Sequence, residues 1–272
     1  MRLTRDVLVS LLVGAGIWFA IAFGVVVLGD AMGGFRYGET LILPDSYLLS
    51  DNRGGVGAVA AIAFLVAGAL YAWLLLGRLS AAGPRLVGVL FLSAGVWCAG
   101  SPSTYERILG QPPAWGYTIV LAAPLLVPVE RWPALRRAGF LLGPLVWLAI
   151  GAGNRLFVSA VGVHARGESL MLGYERGRPG QLWSAIGCVL VLFVAGALAA
   201  PLLRGGSSTV GLICAGLSVW ALIDVEAVGG WARLVAAPLW GYALVLAVPM
   251  VAAYVRPEAH ARALRAPVAS GS

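Results

Sequence analysis

The sequence contains no lysine, so all 19 basic residues are arginine. A chain without lysine cannot form the Schiff base that holds a retinal or pyridoxal cofactor, which excludes both of those classes of protein. Histidine occurs only twice and cysteine three times, with no metal-ligand spacing. A Walker motif, a glycine-rich nucleotide loop and an HExxH motif are also absent from the sequence. We therefore expect no cofactor and no metal.

Charge is scarce as well. Charged residues make up 11% of the chain, against about 25% in a typical soluble domain. Hydrophobic residues make up 60%, and the mean hydropathy is +0.89. Because apolar runs of membrane-spanning length recur along the chain, we predict an all-α, polytopic membrane protein. The net charge of +7 does not indicate nucleic-acid binding, since the arginines lie between apolar runs and form no continuous basic stripe.

Eight apolar segments are candidates for transmembrane helices. The first four cover residues 7–29, 56–76, 86–100 and 114–129, and the fifth begins near residue 138. The last three cover residues 182–203, 209–223 and 235–255. A helix needs about 20 residues to cross the hydrocarbon core, so the third, fourth and seventh segments must include interfacial residues.

The placement of arginine predicts the orientation. With the N-terminus inside, the cytoplasmic segments hold eleven arginines and three acidic residues, and the outer segments hold eight arginines and nine acidic residues. By the positive-inside rule, both termini are expected in the cytoplasm. Arginine without lysine, together with abundant Ala, Gly, Val and Pro, resembles coding in a GC-rich bacterial genome. We therefore expect a bacterial inner-membrane protein that contacts the lipid bilayer.

One stretch of the sequence occurs twice and predicts a tandem duplication. The run Gly38-Glu39-Thr40-Leu41-Ile42-Leu43 returns as Gly167-Glu168-Ser169-Leu170-Met171-Leu172. Further matches keep the same order and a nearly constant spacing: Trp18 with Trp147, residues 66–70 with 194–198, Trp97 with Trp220, Arg107 with Arg233, Trp115-Gly116-Tyr117 with Trp240-Gly241-Tyr242, and Pro124 with Pro249. We predict two four-helix units, residues 1–137 and 138–255, and a cytoplasmic tail at 256–272. Four spans per unit give both units the same orientation, as in parallel-repeat transporters.

One arginine falls inside the predicted membrane boundary. Arg155 follows Asn154 near the outer end of the fifth segment, and an ionisable group at such a position usually serves function. We expect Arg155 to point into the bundle, within reach of Glu168, Asp224 or Glu226, and to help form an outer vestibule. The alternative is that its side chain only reaches out to the lipid headgroups.

Four more charged residues occupy matching positions in the two units and fall on the outer side. They are Glu39, Glu168, Arg107 and Arg233. Arranged about a twofold axis, they would line a shared vestibule. Alternatively, each glutamate pairs with an arginine and only fixes the outer loops to one another.

The remaining paired residues are apolar or aromatic. Pro124 and Pro249 predict kinks that open a central cavity, or else prolines that neighbouring groups tolerate. Gly68 and Gly196 predict close helix packing. The aromatic residues near the predicted span ends are expected to be interfacial anchors: Trp115, Tyr117, Trp240 and Tyr242. The three cysteines all lie in apolar runs and are expected to be small packing residues.

These features favour a transport-type protein, or the membrane component of a transport system, with an outward-facing site between the two units. Such a protein would bind a small-molecule substrate or a partner subunit. One alternative is an intramembrane enzyme acting on a lipid or isoprenoid-like substrate, with Glu39, Glu168, Asp224 or Glu226 as acids. Another is a non-catalytic scaffold or accessory subunit. A transporter needs a cavity at mid-depth, an enzyme needs one lined by a carboxylate, and a scaffold needs none.

Overall fold

The computed structural model describes residues 2–31, 53–77, 79–100, 112–127, 139–161, 179–205, 208–223 and 232–255. Within these ranges there are eight α-helices and no strands, which confirms the all-α prediction. The helices are α1 (Arg2–Ala31), α2 (Arg53–Leu76), α3 (Ala82–Gly100), α4 (Pro112–Leu126), α5 (Gly139–Val161), α6 (Pro179–Gly205), α7 (Ser208–Ile223) and α8 (Ala232–Val255). Each helix coincides, within a few residues at most boundaries, with one predicted apolar segment.

Proline and glycine mark several helix ends. Pro112 and Pro179 are the first residues of α4 and α6, where the missing N–H costs nothing because it would have no partner within the helix. After α2, the backbone N–H of Gly77 donates to the carbonyl oxygen of Trp73 at 2.8 Å. The turn that follows is tied to α1, since the backbone N–H of Ser80 donates to the Asp6 carboxylate at 3.2 Å. This bond fixes the start of α1 against the turn between α2 and α3.

Helices α4 and α8 form the centre of the fold. All side chains at positions 115–125 in α4 are buried, and so are those at positions 241–247 in α8. Around this pair, α6 packs against α4 and α2 packs against α8. Helices α3 and α7 also cover α4 and α8, and α1 and α5 pack outside α2 and α6. The pair α1 and α2 therefore contacts the centre mainly through α2, and the pair α5 and α6 contacts it mainly through α6.

The outside of the bundle is apolar. Large hydrophobic side chains are exposed on α1, α2, α3, α5, α6 and α7, among them Phe19, Val66, Trp97, Leu148, Val194 and Trp220. A soluble monomer rarely exposes so many large apolar side chains. In the described part of the chain, three helices are long and apolar enough to cross a membrane, over Leu3–Val27, Gly57–Leu76 and Trp183–Leu203. These helices are compatible with a membrane protein.

Candidate functional site

Three stacked aromatic rings lie at the centre of the fold. The Tyr117 and Tyr242 rings are nearly parallel, with centroids 3.6 Å apart and 9° between their planes. The Phe64 ring is also stacked with Tyr117, with centroids 5.7 Å apart and 2° between their planes. All three side chains are fully or almost fully buried. We name Phe64, Tyr117 and Tyr242 the central stack. The prediction that Tyr117 and Tyr242 are interfacial anchors is therefore wrong.

Glycine explains why these tyrosines can enter the core. The Tyr242 hydroxyl contacts α4 at the place where a β-carbon on Gly116 would lie. In the same way, the Tyr117 hydroxyl occupies the place of a β-carbon on Gly241. Each ring thus reaches across to the backbone of the opposite helix, and any residue other than glycine would push it away. Trp115, also predicted as an anchor, is buried as well and contacts the Trp18 ring.

The two helical prolines lie at a second pair of close contacts. Proline has no N–H, so Pro124 leaves the Val120 carbonyl oxygen without its usual helical donor. Gly196 of α6 packs directly against that oxygen. Pro249 likewise frees the Val245 carbonyl oxygen, which lies 2.9 Å from the position of a β-carbon on Gly68.

These contacts confirm the prediction that Gly68 and Gly196 serve close helix packing. They also change the interpretation of the prolines. At both positions the freed carbonyl faces the backbone of a neighbouring helix, where Cα–H groups offer weak donors, and the helices are in contact there rather than separated by a cavity.

Further contacts occur in two corresponding sets, one in each half of the chain. A β-carbon on Gly14 would meet Val87, and one on Gly143 would meet Val210. The Trp18 and Trp115 rings contact each other at 5.3 Å, and the Trp147 and Trp240 rings do so at 4.8 Å. Two more glycine contacts have counterparts. The contact of Gly24 with Phe64 corresponds to that of Gly153 with Leu192, and the contact of Gly88 with Leu125 corresponds to that of Gly211 with Met250.

A buried amide adjoins the central stack on one side. Asn154 of α5 is 8% exposed, and its Oδ1 atom accepts a hydrogen bond from the Tyr242 hydroxyl at 3.4 Å. Its Nδ2 atom has no hydrogen-bond partner among the residues that the structure describes. A buried donor without a partner is costly and requires an explanation. In the sequence, Asn154 is singled out only because it precedes Arg155.

The cysteines are small packing residues, as predicted. All three thiols are free; Cys98 and Cys188 are fully buried, and Cys214 is half-buried. Cys188 lies one helical turn before Leu192, which contacts Gly153. In the described ranges, no group of three or more His, Cys, Asp or Glu side chains is placed to hold a metal ion.

The charged residues predicted for an outer vestibule are mostly outside the described residues. Arg155 lies in α5 and Arg233 in the first turn of α8, but the description covers only their backbones. The other five are outside the described ranges: Glu39, Arg107, Glu168, Asp224 and Glu226. The vestibule therefore stays a prediction. The polar group that the structure does place near the centre is the Asn154 amide.

Comparisons with models of known protein families, with curated proteins and with solved structures give no match. The class of protein must therefore be inferred from the helices and their contacts alone. What they define is an all-α protein with an apolar exterior and three helices long and apolar enough to cross a membrane.

Proposed function

We propose that this chain is a multi-pass inner-membrane protein of the transport type, built from two related four-helix units that meet at a central interface. Residues 1–137 and 138–255 are the two units, and all eight helices span the membrane. The short central helix α4 fits this proposal, because it is surrounded by protein and need not match the bilayer thickness by itself. The observation that carries the proposal is the interface around Tyr117 and Tyr242, where one unit meets the other.

The corresponding contacts support a duplication. When Trp18 is aligned with Trp147, Gly14 and Gly24 align with Gly143 and Gly153. The partners of these glycines correspond as well, at the spacing set by the other sequence matches. Coincidence in a glycine-rich chain would not be expected to reproduce the contact partners along with the glycines. Exposure follows the same pattern, since Trp97 is 56% exposed and Trp220 is 55% exposed.

The interface between the units supports a transport-type function. In transporters made of parallel repeats, the substrate site lies between the repeats near mid-depth, and the repeats move as bodies about it. Here α2 of the first unit packs on α8 of the second, and α6 of the second packs on α4 of the first. Beside Tyr242, the second unit buries a polar group, Asn154, and polar groups in such positions are usually functional.

The close packing at the same interface favours a second candidate, the non-catalytic scaffold. The Tyr117 and Tyr242 rings are in van der Waals contact, and the glycine contacts leave no room for a β-carbon. In a transporter this is a closed state that must open, whereas in a scaffold it is permanent. The intramembrane-enzyme alternative depends on acidic residues outside the described ranges, and no contact favours it.

Distance measurements between spin labels distinguish a moving interface from a fixed one. The labels are attached in lipid nanodiscs to Val59→Cys on α2 and Ile186→Cys on α6, in a chain whose native cysteines are replaced by alanine. Both positions are exposed. Because a transport-type protein exchanges between states, we expect this pair to give two populations of distances in pulsed electron–electron double resonance.

The matched control is a pair within the first unit, Val59→Cys with Val89→Cys, both at exposed positions. If the units move as bodies, this pair gives one narrow distance while the pair between units gives two. One narrow distance for both pairs would contradict the transport-type proposal and would favour the scaffold.

A further inference from the structure

The proposed twofold arrangement is broken on one side of the central stack. The position that corresponds to Asn154 in the first unit is Val25, which is buried and apolar. The position that corresponds to Phe64 in the second unit is Leu192, a smaller side chain. A polar group and a smaller neighbour therefore occur together on the Tyr242 side only. A duplication without later substitutions would leave the same residues on both sides of the central stack.

The polar atoms on that side are unequally satisfied. The Tyr242 hydroxyl donates to Asn154 Oδ1 at 3.4 Å, a long hydrogen bond. The Asn154 Nδ2 group offers two N–H donors and has no partner in the described part of the chain. Packing of the apolar residues alone does not require an amide here, because valine takes the corresponding position in the first unit. The free donor is what a hydrogen-bonding ligand would use.

We propose that Asn154 and Tyr242 form a single asymmetric binding site for an uncharged molecule that carries a hydrogen-bond acceptor, such as a carbonyl or hydroxyl oxygen. The proposal rests on the proposed function, because the tightly packed units must separate to admit the molecule. The Asn154 amide donates to the acceptor oxygen, and the Tyr242 hydroxyl holds the amide in place. We expect an uncharged molecule because the described side chains around Asn154 and Tyr242 are aromatic and aliphatic, and a bare charge is costly in such surroundings.

Cys188 gives the site a built-in reporter. Leu192 contacts Gly153, the neighbour of Asn154, and Leu156 lies 3.4 Å from a β-carbon position on Gly187, the neighbour of Cys188. The antiparallel helices α5 and α6 therefore place Asn154 and Cys188 at nearly the same level. A small reagent bound through its carbonyl oxygen to the Asn154 amide would be held beside the Cys188 thiol.

Iodoacetamide and iodoacetate form a matched pair of probes, because they are almost equal in size and differ in charge. The full-length protein with its native cysteines is treated in nanodiscs, and alkylation of each thiol is followed by mass spectrometry of its peptides. Each rate is divided by the rate of glutathione with the same reagent. We expect iodoacetamide to alkylate Cys188 more than about tenfold faster than iodoacetate does, because the anion must lose its water shell to enter.

The variant Asn154→Val introduces the residue that the first unit carries at this position. It removes a buried donor that has no partner in the described part of the chain, but also the acceptor of the Tyr242 hydroxyl, so we expect its free energy of unfolding to fall by no more than about 1–3 kcal/mol. We expect it to slow the alkylation of Cys188 by iodoacetamide about fivefold, the usual worth of one hydrogen bond. Cys214 reacts equally in both proteins and serves as the internal reference. The control variant Val25→Asn places an amide in the other unit and leaves the Cys188 rate unchanged.

Three results would overturn the site. They are an unchanged Cys188 rate in Asn154→Val, faster reaction with iodoacetate than with iodoacetamide, and no reaction at Cys188 with either reagent. The spin-label distances separate this failure from failure of the transport-type proposal. Two distance populations without selective alkylation would refute the Asn154 site alone, whereas a single distance would refute the opening on which both depend.

Discussion

Replacing Gly196 with alanine is expected to lower the free energy of unfolding by about 3 kcal/mol, at the upper end of what overpacking usually costs. A β-carbon at this position would overlap the Val120 carbonyl oxygen and lie 2.9 Å from the β-carbon of Ala123. The obstacle is the backbone of a fully buried helix, which cannot turn aside as a side chain can. Pro124 makes the contact more rigid, because its ring holds the same helical turn. Unfolding by sodium dodecyl sulfate in mixed micelles measures the change.

Gly216 is the matched control. It lies in the middle of α7, and a β-carbon there would meet nothing within 4 Å. Gly216→Ala should therefore raise the free energy of unfolding by about 0.5–1 kcal/mol, the ordinary gain of alanine over glycine in a helix. Gly68→Ala should behave like Gly196→Ala with a somewhat smaller loss, because its β-carbon would lie 2.9 Å from the Val245 oxygen. Equal effects at Gly196 and Gly216 would contradict the proposed contact.

The second large effect is a specific rescue across the interface. Gly116→Ala should cost about 2 kcal/mol, because its β-carbon would collide with the Tyr242 hydroxyl. Tyr242→Phe removes that oxygen and keeps the stacked ring. Tyr242→Phe by itself loses the hydrogen bond to Asn154, but in that background Gly116→Ala should cost little more, which gives a coupling energy above about 1 kcal/mol in a double-mutant cycle.

The control replaces the other tyrosine. Tyr117→Phe removes a hydroxyl that does not face Gly116, so it should give no rescue of Gly116→Ala. For Gly241→Ala the partners exchange, and Tyr117→Phe should help only in part, since the Phe64 ring would still lie 2.8 Å from the new β-carbon. Rescue by either phenylalanine would show a general loosening of the core and would contradict the specific contact.

Much of the helical architecture could be predicted because hydrophobic length is a local property. The eight apolar segments correspond to the eight helices, and glycine among small residues correctly predicts close packing at Gly68 and Gly196. The two units and their parallel orientation remain predictions, although the corresponding contacts support them. The free, buried cysteines also follow from their apolar neighbours.

The central stack could not be predicted because burial of an aromatic residue depends on its partner. Tryptophan and tyrosine near a helix end are typical of a membrane interface, and Tyr117 is only five residues from the start of α4. What admits it to the core is Gly241, far away in the sequence. One local signal was present, since a glycine precedes the tyrosine in both Trp-Gly-Tyr runs.

Asn154 could not be predicted as a site residue for a related reason. In a sequence, the signal for a site inside a membrane is a charged residue. That signal points to the adjacent Arg155, because the Asn154 amide is neutral. The useful signal lies in the alignment of the two units, where an amide replaces Val25. The charged residues predicted for the outer vestibule remain untested, because their side chains lie outside the described residues.

The most direct test of a membrane protein made of two parallel four-helix units is the sidedness of its loops. Reporter fusions at Gly34 and Gly173, in the segments that carry the repeated motif, should both report the exterior, and so should a fusion at Ser103. Fusions after Arg78, Arg137 and Arg204 should report the cytoplasm. A cytoplasmic signal at Gly173 would contradict both the eight spans and the parallel arrangement of the units.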